Sequence, residues 1–139
     1  MTSFVKINTD ASFQEQARSG GWGAICRDEM SDIRFAVVGP LTMLMDAFHA
    51  EALALSNAID VAEQLGVERV MFETDYINLR NALTSSEYDL GPVGILPSDM
   101  KYRLRLNFID ARVTYAPRDC NKPAHKLAAM GVGLALCGQ

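Results

Sequence analysis

No stretch of 18 apolar residues occurs anywhere in this 139-residue chain, which excludes a helix that crosses a membrane. No basic segment followed by an apolar one opens the chain, so no secretory signal is written in it. Cysteine is scarce. Cys26, Cys120 and Cys137 form an odd set without a CxxC, which excludes a disulfide framework and a zinc finger. A reducing compartment, nuclear or cytoplasmic, is the expectation. Internal repeats and low-complexity tracts are also missing.

What is present is the composition of one ordinary globular domain, 49% hydrophobic and 22% charged, long enough to bury a core without staples. We expect a single domain over residues 1–139. The net charge of −4 argues against a protein coated in nucleic acid. Its distribution says more. Lys101, Arg103, Arg105, Arg112, Arg118, Lys122 and Lys126 face only Asp110 and Asp119 within one stretch, a balance of +5, and the rest of the chain carries −9. An acidic centre beside a basic flank suits metal ions and a phosphodiester backbone. A solvated helix face, with Lys101 and Arg105 one turn apart, explains the basic stretch equally well.

Val5 to Asp10 alternates β-favouring and polar residues, reads as a strand, and ends on an acid followed by small residues. Phe13 to Gly21 reads as a hairpin loop, Trp22–Arg27 and Ile33–Val38 as two further strands of an antiparallel meander, and Gly39-Pro40 as its end. Asp46 is a candidate N-cap for a helix to Leu65, stopped by Gly66. Its predicted apolar stripe is Ala47, Ala50, Ala54, Ala58, Val61 and Leu65, and Glu51 borders it, where a carboxylate is costly without a partner. Arg69–Asp75 is a strand that again ends on Thr-Asp, parallel to the first across the helix. A short helix over Tyr76–Leu83, a loop over Ser85–Asp99, a helix over Met100–Leu106, a strand over Phe108–Tyr115 and a last helix from Asn121 or Lys122 to Ala135 follow. If the Asp10 and Asp75 strands are neighbours about 5 Å apart, Asp10, Glu51 and Asp75 converge at one edge of the sheet. Each acid also has a plainer use: Asp10 as a turn residue, Asp75 as a helix N-cap.

The motifs Asn8-Thr9-Asp10-Ala11-Ser12, Gly20-Gly21-Trp22-Gly23-Ala24-Ile25, His49-Ala50-Glu51-Ala52-Leu53-Ala54-Leu55, Glu73-Thr74-Asp75 and Pro117-Arg118-Asp119-Cys120-Asn121-Lys122-Pro123-Ala124-His125-Lys126-Leu127-Ala128 resemble the ribonuclease H superfamily. The resemblance is to its plant-type, reverse-transcriptase-like branch, in family order over nearly the whole chain. It implies an α/β, ribonuclease H-like fold: a five-stranded mixed sheet, order 3-2-1-4-5, with helices packed against it. It also implies an endonuclease that cuts the RNA strand of RNA/DNA hybrids through two metal ions, Mg²⁺ or Mn²⁺, held by an Asp-Glu-Asp-Asp quartet. Asp10, Glu51 and Asp75 match the first three members. Magnesium is a hard cation that takes oxygen ligands, and two such ions can clamp both oxygens of an in-line displacement.

The fourth position departs, with His125 in place of an acid, a catalytic and metal-ligand position by resemblance. Imidazole is a poorer ligand for magnesium than for manganese or other transition metals, and it is also suited to proton transfer. A helix-start histidine satisfied by backbone is the plainer reading. Ala11 stands where glycine is usual and Tyr76 where a small residue is usual, and no basic insertion follows the second helix. By resemblance Ala11, Ser12, Arg118, Asn121 and Lys122 lie against the substrate, an RNA/DNA hybrid or other nucleic acid. Asn121 is equally suited to capping the last helix, and Arg118 and Lys122 to being solvated. His49 and Trp22 are expected to be packing residues. The rival is a non-catalytic, retroelement-derived module that binds nucleic acid or a protein partner.

Overall fold

The computed structural model describes residues 4–84 and 95–137. Three strands, β1 (Val5–Gln14), β2 (Ser19–Arg27) and β3 (Ile33–Leu41), form an antiparallel meander. A crossover helix, α1 (Ala47–Gln64), leads to β4 (Arg69–Thr74), which pairs parallel to β1 on its other side. The helices α2 (Ile77–Thr84) and α3 (Ile95–Leu106) precede β5 (Asp110–Tyr115), which extends the sheet beside β4. A single 3₁₀ turn, Arg118–Cys120, opens into α4 (Lys122–Cys137). The strand order is β3-β2-β1-β4-β5, as expected.

Period-two alternation puts Ile7, Trp22, Ala24, Cys26, Val70 and Phe72 on one face, where they pack with α1, Leu79, Met100 and Phe108 into one core. On the opposite face α4 lies across β2, β3 and β1.

Several expected boundaries move, the start of β5 among them, at Asp110 rather than Phe108. The hairpin turn is only residues 15–18, and Gly20 and Gly21 belong to β2. Those glycines serve packing rather than turning. A Cβ at Gly21 would fall into the α4 backbone around Ala128 and Val132, and one at Gly23 into Leu127. β3 likewise runs through Gly39 and Pro40, because an edge strand tolerates proline and Gly39 lies under the Trp22 indole. α3 starts at Ile95, so 95–99 is helix rather than loop; residues 85–94 of that expected loop lie outside the described residues.

α1 begins as expected: Asp46 accepts from the backbone N of His49 at 2.8 Å. It ends in a Schellman turn, with Gly66 at φ +72° donating to Glu63 and Val67 donating to Ala62. Its buried face, however, is rotated from the expected stripe. Ala50, Ala54 and Ala58 are buried, but Leu65 is exposed, and Glu51, Leu55, Ile59 and Ala62 take its side of the helix. Glu51 therefore lies within the buried face, not on its border.

Candidate metal centre

Asp10 is not the last residue of its strand, as the sequence reading had it. Pairing of β1 with β4 stops at Thr9, opposite Thr74, and pairing with β2 continues to Gln14. Asp10 and Asp75 thus leave the β1–β4 pairing side by side at the same end. The helix α1, packed against β1, brings Glu51 to the same place. One carboxylate oxygen from each of Asp10, Glu51 and Asp75 lies within 4.8 Å of the others. Among the described residues this is the group of metal-ligating side chains so gathered.

These acids are withdrawn from water. Asp10 is 1% exposed and Glu51 7%. Burial, and after it the charges of Asp10 and Asp75, push the Glu51 carboxyl up to about 10. Burial and then the charge of Asp10 raise that of Asp75. Glu51 Oε1 and Asp75 Oδ2 are buried without a hydrogen-bond partner. Carboxyl oxygens converging from three elements, two of them without a hydrogen bond, fit a hard divalent cation, which would take the place of the Glu51 proton and offset the repulsion among the acids.

His125, on the first turn of α4, reaches the same point from the opposite face. Its Nδ1 lies 2.8 Å from Asp10 Oδ2, and its side chain is 47% exposed. It is therefore not satisfied by backbone. Asn121 does not cap α4 with its side chain either. Fully buried, it donates from Nδ2 to the carbonyl of Thr9 at 2.9 Å, tying the start of α4 to the residue before Asp10. Arg118 Nε stands 3.8 Å from Asp75 Oδ2 with its side chain 76% exposed. Lys122 is exposed at the start of α4, and Ala11 and Ser12 lie half-buried on β1 just past Asp10.

One contact beside the site went unread in the sequence. Tyr76 packs edge-to-face on Phe48, with ring centroids 6.1 Å apart. Burial raises its hydroxyl, and the nearby Glu51 adds to the rise. Aromatic spacing across two elements carries no sequence signal. His49 is a packing residue as expected: its Nδ1 accepts from the backbone N of Met45 at 3.1 Å.

The family model described as reverse transcriptase-like matches residues 8–131. No curated protein sequence matches the chain significantly. Among solved structures, the N-terminal ribonuclease H domain of a Mycobacterium tuberculosis protein is 18% identical over 99% of both chains, with a TM-score of 0.82. Ribonuclease H1 of the halophilic archaeon Halobacterium salinarum is 19% identical over 94% of this chain and 98% of its own, with a TM-score of 0.78. LC11 ribonuclease H1, solved in complex with an RNA/DNA hybrid, is 16% identical over 95% and 99%, with a TM-score of 0.80. These likenesses establish the fold.

Proposed function

This chain belongs to the reverse transcriptase-like family, and from that membership we propose that it is a metal-dependent endonuclease cutting the RNA strand of RNA/DNA hybrids. Residues 1–139 would form one ribonuclease H-like domain. The observation that carries the reading is the convergence of Asp10, Glu51 and Asp75 with two orphaned buried oxygens. A purely structural role leaves those oxygens without hydrogen bonds, which is costly for a buried polar group.

Asp10, Glu51 and Asp75 would hold Mg²⁺ or Mn²⁺, with His125 at the fourth corner. Bound divalent cations supply an activated water and stabilise the leaving oxygen in phosphodiester hydrolysis. The protein's own share is placement. The end of the β1–β4 pairing carries two of the acids, α1 brings the third beside them, and Asn121 ties the start of α4 to Thr9 so that His125 faces Asp10. Arg118 and Lys122 would meet phosphates, and Ala11 and Ser12 the minor groove, where 2′-hydroxyls distinguish RNA from DNA. Among the described residues no helix is long and apolar enough to cross a membrane.

Cleavage of an end-labelled hybrid with Mg²⁺ and separately with Mn²⁺ tests the proposal. Asp10→Asn is expected to reduce the rate by about 10²-fold or more, since it removes a charged ligand worth several kcal/mol to the transition state. Folded wild type that cuts with neither metal would overturn the nuclease and leave a binding module.

A further inference from the structure

The strand β5 forms one edge of the sheet and has a strand partner on one side only. Asp110 and Ala116 donate their N–H groups toward the β4 side, to the carbonyls of Glu68 and Thr74. Backbone groups alternate sides along a strand, so those of Ala111 and Val113 face outward, away from β4. A groove of about 720 Å³ runs beside them, between β5, α3 and the end of α2. Leu104, Phe108, Ala111 and Val113 give it an apolar surface, and Ile109, which also lines it, is 61% exposed. Lys101, Arg105 and Arg112 line it as well, against one acid, Asp110.

We propose that this edge binds an extended acidic segment of a partner protein, added beside β5 as a sixth strand. Such a segment pairs with the outward N–H and carbonyl groups, which an exposed sheet edge otherwise leaves to water. Its apolar side chains cover Ala111, Val113 and Ile109, and its carboxylates meet Lys101, Arg105 and Arg112. The opposite edge of the sheet is poorly suited to this role: Pro40 interrupts β3, and α4 packs across it. A second copy of the chain fits badly, because two β5 edges laid together would oppose the same cations. Nucleic acid fits badly as well, because phosphates gain nothing from the apolar surface. Residues 110–113 of β5 pair with residues 69–72 of β4, toward the end of the parallel strands away from Asp75. The surface is thus separate from the acid cluster and independent of what is cut there.

Selection of displayed random peptides of about ten residues on the full chain tests this. Enriched sequences are expected to be acidic, with β-branched or aromatic residues between the acids. The tightest of them, synthesised and labelled, is expected to bind about 10-fold more weakly to Arg105→Glu and to Ile109→Ser. Both positions are exposed, so neither substitution threatens the fold, and thermal melts verify this. Binding is expected to slow amide exchange at Ala111 and Val113 by about 10-fold or more, read by nuclear magnetic resonance. N-methylation of alternate peptide residues is expected to abolish binding, since strand addition depends on main-chain hydrogen bonds. No enrichment of acidic sequences, binding indifferent to Arg105→Glu, or protection that maps away from β5 overturns the proposal. So does displacement of the peptide by an RNA/DNA hybrid, which would make the groove a nucleic-acid surface. A concentration-dependent dimer that already protects Ala111 and Val113 overturns it too.

Discussion

Glu51 is the residue on which sequence and structure speak most directly to each other. A carboxylate on an alanine-rich face was conspicuous in the sequence, because glutamate seldom enters a helix's buried side without a partner. Its depth was not legible, since helical rotation against the sheet decides which of two adjacent stripes faces inward. The consequence is a pH dependence of definite sign. Folding raises the Glu51 pKa from 4.5 to about 10, so the metal-free folded state holds a proton that the unfolded chain has released. Stability is therefore full below about pH 4.5 and falls as pH rises toward 10. At neutral pH the loss is at most about 3 kcal/mol, at roughly 1.4 kcal/mol per unit. Glu51→Gln without metal should match wild type near pH 4.5 and exceed it at pH 8 by about 1–3 kcal/mol. Urea denaturation in a chelator at both pH values checks this, and a less stable variant at pH 8 would refute it. Asn121 was the opposite case. Its family position was visible, but a bond from its side chain to a carbonyl 112 residues away cannot be read from spacing.

At the scale of elements, the antiparallel meander and the start of α1 followed from period and capping and the full strand order from the family resemblance, while the glycines misled. Paired glycines before a tryptophan read as a turn because turns and close packing both select residues without a Cβ. Here the selecting partner was α4, distant in sequence. The seam between β2 and α4 is accordingly unforgiving. Gly23→Ala places a Cβ against Leu127 and the Ala128 backbone and should destabilise by about 1–3 kcal/mol, displacing the turn that carries His125. Gly133→Ala, on the same helix with nothing near the added carbon, should instead stabilise by up to about 1 kcal/mol. Thermal melts of the two variants must move in opposite directions for this account of the seam to stand. α3 joins the fold differently, through Arg103, which bonds Asp60 and Glu63 of α1. Its early start escaped the sequence reading because Pro97 within a helix's first turn resembles a loop proline.

Over the whole molecule, the basic stretch of the sequence divides into two parts. Arg103 is committed to α1 and Arg112 to Asp110, whereas Arg118, Lys122 and Lys126 stand exposed near or on the first turns of α4. Arg118 stands at the acid cluster, and Lys122 and Lys126 lie on the helix that carries His125. Hybrid affinity should therefore fall with salt at a log–log slope of about −2 to −3, and Arg118→Ala or Lys122→Ala should each reduce that slope by about one. A slope near −6, measured by fluorescence anisotropy, would place the remaining basic residues on the nucleic acid as well. The chain also has a single tryptophan, Trp22, wedged against Gly39 and paired across the ladder with Ala11, next to Asp10. The molecule thus contains its own optical reporter. Emission from that indole tracks the packing of the three-stranded meander from within and, one residue from the acid cluster, should be quenched when a paramagnetic ion arrives.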